Sequence, residues 1–171
     1  MKPSIRTWHP GDDLDALTEM LHRAYAPLAA EGLRYTATHQ TPEVTLRRLS
    51  RGHALVAEIG GRVVGTLTVY QPDGEDATPA YREHFHFGQF GVVPEFKGRG
   101  IGTALHAAAL DHVRSLGGAA MALDTASPAS RLIALYERWG YEIIDRISYS
   151  STNYESVVMR LWLQRPPAPA E

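Results

Sequence analysis

The chain lacks cysteine altogether, and its net charge is close to neutral and only slightly acidic. Without cysteine there is no disulfide bond, no thiolate zinc site and no cysteine nucleophile. The 17 basic and 19 acidic residues leave a formal net charge of −2, whereas a nucleic-acid-binding protein normally has a basic face. The local cluster of Arg47, Arg48 and Arg51 is interpreted as a solvated helix end. We therefore predict no nucleic-acid partner.

Long apolar runs are also missing. No run approaches the roughly 18 residues of a membrane span, and residues 1–6 lack the apolar centre of a signal peptide. We therefore expect no membrane partner and a cytoplasmic location. The length of 171 residues predicts one domain. That domain is expected over residues 1–163, and the proline-rich tail at 164–171 is expected to be disordered.

The spacing of apolar residues divides the chain into strands and helices. Strands are predicted at residues 5–8, 53–59, 63–70, 81–93, 121–125, 141–147 and 155–163. Helices are predicted at residues 13–26, 42–52, 100–116 and 129–139. The first helix is predicted to stop before Pro27, because proline interrupts a helix, and residues 27–41 are predicted to be irregular.

The order of these segments predicts a mixed sheet. Gly60-Gly61 is typical of a hairpin turn, and the short links between successive strands favour antiparallel pairs. The helix between the strands at 81–93 and 121–125 favours one parallel crossover. A Rossmann domain would alternate strand and helix throughout. The expected fold is therefore an α/β (α+β) domain with a mixed, mostly antiparallel central sheet and helices on both faces.

A glycine-rich turn, Lys97-Gly98-Arg99-Gly100-Ile101-Gly102, lies between a predicted strand and a predicted helix. The first N–H groups of a helix lack partners, and the helix dipole attracts anions to them. Glycine also lets a phosphate approach the backbone closely. The turn therefore predicts a phosphate-bearing cofactor, although a flexible turn that binds nothing has the same composition.

The spacing of these glycines leaves the kind of cofactor open. A dinucleotide fingerprint reads G-x-G-x-x-G, with an acidic residue about 20 residues further on, whereas this turn reads G-x-G-x-G. Asp124 lies 22 residues beyond Gly102, which keeps a dinucleotide-binding oxidoreductase as an alternative. A Walker A loop is excluded, because the chain contains no G-x-x-x-x-G-K-[ST] run.

A second motif, Leu135-Tyr136-Glu137-Arg138-Trp139-Gly140-Tyr141, follows the turn after one predicted strand. Together the two motifs resemble the signatures of the GNAT superfamily, the general N-acetyltransferases, and the resemblance covers roughly residues 4–163. Two positions depart from the family pattern. The turn opens with Lys97 where the family has Gln or Arg, which loses the planar fork. The Asn that often begins the helix after the fifth strand is absent, and Ser127 or Ser130 could supply a polar group instead.

The resemblance implies acetyl-CoA as the cosubstrate and no metal. The family parts its fourth and fifth strands to admit the pantetheine arm, and Gly88 and Gly91 would suit such a splayed parallel pair. The backbone of the strand end would pair with the arm, and the turn would hold the pyrophosphate. The implied cofactor-binding residues are Phe90, Gly91, Val92, Lys97, Gly98, Arg99, Gly100, Ile101, Gly102 and Thr103.

Acyl transfer to an amine needs a base for the amine and an acid for the leaving thiolate. His86 is the candidate base, because imidazole titrates at about pH 6.5 and the family often places Glu or His at this position. His84, on the same strand face, could extend a water chain. The resemblance implies Tyr136 as the acid beside the cofactor sulfur and the Val92 N–H as the oxyanion donor. Ordinary packing is the alternative role for each side chain.

The resemblance places the acceptor against the first two helices and their link, with the acidic loop of Asp73, Glu75 and Asp76 near by. The candidate substrate-binding residues are Tyr25, Glu31, Arg34, Tyr35, His39 and His84, and solvated loops are the alternative interpretation. No activated nucleophile is evident, so direct attack in a ternary complex is the simpler mechanism. The prediction is an N-acetyltransferase that acts on a primary amine of a small molecule or a peptide, and a homodimer is left open. The alternative is a non-catalytic acyl-CoA sensor, which would keep the cofactor site without turnover.

Overall fold

The computed structural model describes residues 2–72 and 78–170, and within them seven strands form one sheet in the order β1-β2-β3-β4-β5-β7-β6. The strands are β1 (Ser4–Thr7), β2 (His53–Ile59), β3 (Arg62–Tyr70), β4 (Phe85–Val92), β5 (Ala120–Ala126), β6 (Glu142–Ser148) and β7 (Glu155–Trp162). The helices are α1 (Leu14–Ala30), α2 (Pro42–Ser50), α3 (Pro79–Glu83), α4 (Ile101–Ser115) and α5 (Ser130–Arg138). Short 3-10 turns cover Thr36–Thr38 and Pro94–Phe96.

The pairing of the strands makes the sheet mixed. β1 to β4 pair antiparallel in succession, and so do β5, β7 and β6. β4 and β5 form a parallel pair, and α4 lies between them in the chain. Gly60 and Gly61, with φ of 57° and 78°, make the left-handed turn between β2 and β3. The predicted mostly antiparallel sheet with one parallel pair is confirmed.

Helix α1 continues past Pro27 to Ala30, so the predicted stop is wrong. Proline removes one helical hydrogen bond, but the following turn is held in other ways. The Glu31 N–H donates to the carbonyl of Leu28 at 3.1 Å. Leu28 also packs with Leu33 against the end of β5. This packing outweighs the local signal for a break, so the segment predicted to be irregular begins as helix.

Helix α3 occupies the start of the strand predicted at residues 81–93, and β4 begins only at Phe85. The carbonyl of Thr78 accepts hydrogen bonds from the N–H groups of Tyr81 and Arg82 at 2.9 and 3.2 Å. These bonds close a helical turn directly after the loop. Tyr81 therefore leaves the strand, and its buried side chain reaches β5 instead.

Strand β4 carries a bulge. Leu67 of β3 faces two residues of β4, Gln89 and Phe90, because the pairing register shifts by one residue there. Gln89 adopts the left-handed conformation with φ of 47°. The distortion therefore falls between Gly88 and Gly91 rather than on either glycine.

Strands β4 and β5 part early. Phe85 pairs with Met121 and His86 with Ala122, and no later residue of β4 pairs with β5 in the described part of the chain. The rest of β4, up to Val92, therefore borders a gap. The predicted splayed pair is confirmed.

Helices cover both faces of the sheet. A Cβ on Gly91 would lie 2.8 Å from the Cβ of Ala24 in α1, so only glycine allows this close approach. The next residue, Val92, shares its face with Gly65, where a Cβ would lie 3.1 Å from Leu105 of α4. Because successive side chains of a strand point to opposite faces, α1 and α4 lie on opposite sides of β4.

The chain outside the sheet and helices adds little to this architecture. Residues 165–170 are exposed and form neither helix nor strand. Across residues 2–72 and 78–170, none of the helices has the combined length and apolar character that crossing a membrane demands.

Candidate active site

A cleft of about 1470 Å³ opens at the gap between β4 and β5. Its walls come from α1, α2, β4, the turn before α4, and α5. His86 and Tyr136, the predicted catalytic residues, line it, and so do the predicted acceptor residues Tyr25 and Tyr35. Of the predicted cofactor-binding residues, all but Arg99 line the cleft. Folding thus brings together nearly all the residues that the sequence singled out.

The turn before α4 presents a row of backbone N–H groups. Gly98 and Gly100 both adopt left-handed backbone conformations, with φ of 76° and 77°. Residues that have a Cβ rarely adopt these conformations. The first helical hydrogen bond runs from the Ala104 N–H to the Gly100 carbonyl at 2.9 Å. In the described part of the chain, the N–H groups of residues 98–103 have no acceptor. With Lys97 beside them, they form a site for an anion.

The backbone of β4 is open along the cleft. The Val93 N–H donates to the Val64 carbonyl at 2.9 Å. Residues of an antiparallel strand direct their N–H groups to alternate sides, so the Val92 N–H points away from β3 and toward the gap. An extended chain in the gap can hydrogen-bond to this edge. The same Val92 N–H can stabilise negative charge on a carbonyl oxygen.

Tyr136 reaches the cleft from α5. Its side chain is 6% exposed and packs against Phe87 and Tyr141, with ring centroids 6.1 and 6.0 Å away. Its hydroxyl makes no hydrogen bond to any residue that the structure describes. Burial raises the pKa of Tyr136 well above its ordinary value. The phenol therefore stays protonated at neutral pH and can act as a proton donor.

His86 lies where β4 and β5 begin to part. Its ring stacks on Tyr81 with centroids 4.0 Å apart and on Tyr70 with centroids 5.3 Å apart. Nδ1 lies 3.4 Å from the carbonyl oxygen of His84. A carbonyl oxygen only accepts hydrogen bonds, so this contact favours the neutral tautomer with the proton on Nδ1 and the lone pair on Nε2. That tautomer suits a proton acceptor.

His84 itself lies outside the cleft. It sits between α3 and β4, and its ring meets Trp162 edge-on with centroids 5.5 Å apart. The prediction that it shares the face of His86 assumed a continuous strand, which α3 interrupts. The predicted acidic residues Asp73, Glu75 and Asp76 lie outside the described residues.

Tyr25 and Tyr35 form one wall of the cleft, with ring centroids 5.5 Å apart. The hydroxyl of Tyr35 bonds with Thr125 Oγ1 at 2.8 Å and accepts the Ala126 N–H at 3.1 Å. These two bonds tie the segment after α1 to the end of β5. The ring of Tyr35, rather than its hydroxyl, therefore faces a bound molecule.

Asp124 is a candidate that the sequence presented in a different role. It lies on β5, lines the cleft, and accepts a hydrogen bond from the hydroxyl of Tyr81. Burial raises the pKa of Asp124, and the Tyr81 hydrogen bond opposes that rise. This carboxylate is therefore engaged next to Tyr81, whose ring stacks on His86. The sequence signal that could have revealed this position was an acidic residue inside the apolar strand Ala120–Ala126.

Arg48 is a second residue whose role the sequence missed. It lines the cleft, and its Nη1 donates to Gln40 Oε1 at 2.7 Å. The interpretation of Arg47, Arg48 and Arg51 as a solvated helix end is wrong for Arg48, because α2 turns this residue toward β4, while Arg51 is exposed at the rim of the cleft. No local pattern distinguishes it from Arg47.

The start of α5 also differs from the family pattern. Ala129 occupies the N-cap and no side chain caps the helix. Neither Ser127 nor Ser130 lines the cleft, so neither supplies the missing amide there. Within the described residues, His, Cys, Asp and Glu side chains form no cluster of three that could hold a metal ion.

The chain matches the model of the acetyltransferase (GNAT) family over residues 14–141. It is 31% identical over 131 residues to S-(2-succino)cysteine N-acetyltransferase of Bacillus subtilis. The aligned region covers 75% of this chain and 78% of that protein. It is 26% identical over 135 residues to S-alkylcysteine N-acetyltransferase of the same organism, with coverage of 77% and 75%. The fold matches yncA from Salmonella typhimurium, whose structure includes its cofactor acetyl-CoA, with a TM-score of 0.73, 20% identity and 99% of both chains covered.

Fold and cleft together place the protein among the acyl-CoA-dependent transferases. More specifically, the chain belongs to the acetyltransferase (GNAT) family and transfers the acetyl group of acetyl-CoA to an amine. The predicted family, enzyme class and cosubstrate are therefore confirmed. The comparisons favour neither the non-catalytic sensor nor the dinucleotide-binding oxidoreductase.

Proposed function

We propose that this enzyme acetylates the primary amine of a small molecule, namely the α-amine of an S-substituted cysteine, by direct attack in a ternary complex. The observation that carries the proposal is the position of Tyr136 and His86 in one cleft, at the gap between β4 and β5. The two Bacillus subtilis relatives are named for cysteine derivatives, S-(2-succino)cysteine and S-alkylcysteine. A peptide amine is the other acceptor that the sequence predicted.

The cosubstrate would be held mainly by backbone groups. The N–H groups of residues 98–103, with Lys97 beside them, suit the diphosphate of acetyl-CoA. Ile101 would contribute only its N–H, because its side chain is 1% exposed and belongs to the core. The open edge of residues 90–92 suits the pantetheine arm as an added strand. Bound acetyl-CoA supplies the acetyl group as an activated thioester.

His86 would take the proton from the attacking amine. An alkyl amine with a pKa of about 10.4 is neutral in only about one molecule in a few thousand at pH 7. A base beside the amine therefore increases the reactive fraction. A well-placed base typically contributes about 10²–10⁴ in rate. The neutral tautomer favoured by the His84 carbonyl fits this role.

Tyr136 would donate its proton to the departing sulfur. Its raised pKa keeps the phenol protonated until negative charge develops on the sulfur beside it. The Val92 N–H, which points into the gap, would stabilise the charge on the carbonyl oxygen as the nitrogen–carbon bond forms. The amine proton then rests on His86 and the thiol proton comes from Tyr136, so the two transfers balance.

The acceptor side suits an apolar substituent next to polar groups. Rings of Tyr25, Tyr35 and Tyr154 line the cleft, with the Tyr35 and Tyr154 centroids 5.0 Å apart. Such rings bury the thioether chain of an S-substituted cysteine favourably. A homodimer and a cytoplasmic location stay predictions of the sequence.

A thiol-release assay with acetyl-CoA and a panel of amines tests the proposal. The panel contains S-substituted cysteines, a linear polyamine and a peptide with a free N-terminus. We expect the highest kcat/KM with the cysteine derivatives and mass-spectrometric detection of their N-acetyl products. Faster acetylation of the peptide would replace the proposed acceptor with the alternative one, and no release with any amine would contradict the function.

A further inference from the structure

We propose that Arg48 binds the carboxylate of the acceptor, so that the enzyme selects amines with a carboxylate on the adjacent carbon. This inference rests on the proposed function, since it concerns the acceptor side of the same cleft. It assigns the choice of acceptor to a residue of α2 that takes no part in the proton transfers.

The guanidinium of Arg48 lies beside Gly88, on the strand that carries the candidate base. Its Nη2 lies 3.4 Å from the point where a Cβ on Gly88 would be. Gly88 is two residues from His86 and precedes the bulge, so the two share one face of β4 with their Cα atoms about 6.6 Å apart. The amine and carboxylate of an α-amino acid are about 3 Å apart, and with one hydrogen bond of about 2.9 Å at each end such a molecule spans a separation of this order.

The guanidinium is held in place by neutral groups. Gln40 Oε1 accepts from Arg48 at 2.7 Å, and Gln40 Nε2 donates to Thr45 Oγ1 and Gln89 Oε1 at 2.7 and 2.6 Å. Gln40 and Thr45 are buried, with 3% and 0% of their surfaces exposed. The side chain is thus fixed before any ligand arrives, which reduces the entropy lost on binding.

The charge of Arg48 is not neutralised by a protein carboxylate. Arg6, Arg23 and Arg62 each form an ion pair, whereas Arg48 forms none within the part of the chain that the structure describes. One guanidinium N–H is used by Gln40 and the hydroxyl of Tyr70 lies beside the group, so part of its five N–H donors remains for a ligand. A half-buried cation that lines the cleft and has no ion-pair partner among the described residues is suited to a carboxylate from outside.

Two buried polar groups around the Arg48–Gln40 pair lack a hydrogen bond of good geometry within the described residues. The hydroxyl of Tyr70 is buried beside the guanidinium and makes no hydrogen bond of good geometry with a described residue, and neither does Gln89 Nε2. The opposite charge in the cleft is Asp124, bonded to the Tyr81 that stacks on His86. A cation and an anion on one cleft match the carboxylate and the ammonium of an amino acid. A polyamine would meet repulsion at Arg48, and a peptide N-terminus carries no adjacent carboxylate.

Three matched acceptors test the inference on the wild-type enzyme: S-methyl-L-cysteine, its carboxamide, and 2-(methylthio)ethylamine, which lacks the carboxyl group. A hydrogen bond to a charged group typically corresponds to about 10–100-fold in affinity. We expect kcat/KM to fall by about that factor from the acid to either analogue, mainly through KM. Equal kcat/KM for acid and carboxamide would overturn the inference and leave the proposed function intact.

The matched variants are Arg48→Met and Arg47→Met. Arg47 is the neighbouring residue of α2, is exposed, and does not line the cleft. We expect Arg48→Met to acetylate the acid and the carboxamide with equal kcat/KM. Arg47→Met should keep the wild-type preference. An unchanged preference in a folded Arg48→Met, checked by circular dichroism, would also overturn the inference.

Direct binding separates this inference from the proposed function. Calorimetry with coenzyme A present measures the affinity for S-methyl-L-cysteine and its carboxamide without any turnover. We expect the acid to bind about 10–100-fold more tightly to the wild type and the difference to vanish in Arg48→Met. No acetylation of any amine would refute the proposed function, and the calorimetric comparison would still decide the role of Arg48.

Discussion

The two halves of the cleft are built in different ways. The proposed cofactor half is one continuous stretch, residues 90–103, and within the described residues it offers backbone N–H groups without an acceptor. The acceptor half gathers side chains from five elements of the fold: Tyr25, Arg48, Tyr81, His86 and Asp124. A backbone site tolerates changes of side chain, as Lys97 in place of Gln or Arg illustrates. A site built from side chains changes its binding properties with each substitution. The acceptor half can therefore specify the acceptor while the cofactor half stays the same.

The largest expected effect lies at Tyr136, where the two halves meet. Tyr136→Phe removes the proton donor and keeps the ring that packs on Phe87. We expect kcat to fall by about 10³-fold, with the calorimetric Kd for acetyl-CoA unchanged. A loss of cofactor affinity equal to the loss of kcat would show that Tyr136 belongs to the cofactor half. An unchanged kcat would remove it from the mechanism.

The acceptor half is tested next by His86→Gln, which keeps a hydrogen-bonding side chain but removes the base. We expect kcat/KM to fall by about 100-fold at pH 7, with the loss shrinking as the pH rises above the pKa of the amine. His86→Ala should behave in the same way if the stacking on Tyr81 is secondary. A loss that is equal at every pH would assign His86 to packing.

A decrease in pH should destabilise the fold through His106 of α4, which packs next to the cofactor half of the cleft. It should do so without changing the catalytic residues. Burial lowers the pKa of His106, which stacks on Trp139 and bonds with the hydroxyl of Tyr141, to about 4. The unfolded chain, with a histidine pKa of about 6.5, then binds more protons between these values. The free energy of unfolding therefore decreases as the pH falls from about 6.5 to about 4, by on the order of 2 kcal/mol.

Urea unfolding at several pH values checks this expectation. His106→Gln, which can still pair with Tyr141, should flatten the pH dependence, and substitution of the exposed His39 by Gln should not. An equal slope in all three proteins would contradict the role of His106. The same data separate loss of fold from loss of the base in the pH profile of His86→Gln.

The smallest effect is expected in the cofactor half itself. Gly100→Ala places a Cβ on a residue with φ of 77°, which costs about 1–2 kcal/mol. We expect the Kd for acetyl-CoA to rise by about 10-fold. Gly32→Ala is the control, because Gly32 has φ of 81° at the end of α1 and does not line the cleft. Equal Kd values for both variants would show that the turn binds no diphosphate.

Most of the fold followed from local patterns, and the errors have identifiable causes. The hairpin at Gly60-Gly61 and the helix after Gly100 depend on neighbouring residues alone, and both were predicted correctly. The helix passes through Pro27 because Leu28 is packed against β5, a contact that no local rule includes. The strand predicted from residue 81 begins at Phe85, because Thr78 closes a helical turn first.

The sequence by itself determined the anion-binding turn and the family. Gly98 and Gly100 have positive φ, and the N–H groups at the start of α4 have no acceptor within the described residues. Both features depend on a few neighbouring residues, so the motif alone predicts them. Only the tertiary structure decided that Arg48 faces the cleft and that Asp124 bonds to Tyr81 across 43 residues of chain. Such contacts depend on which faces of α2, α3 and β5 meet. That outcome is set by the packing of the whole core, and residues side by side in the sequence do not reveal it.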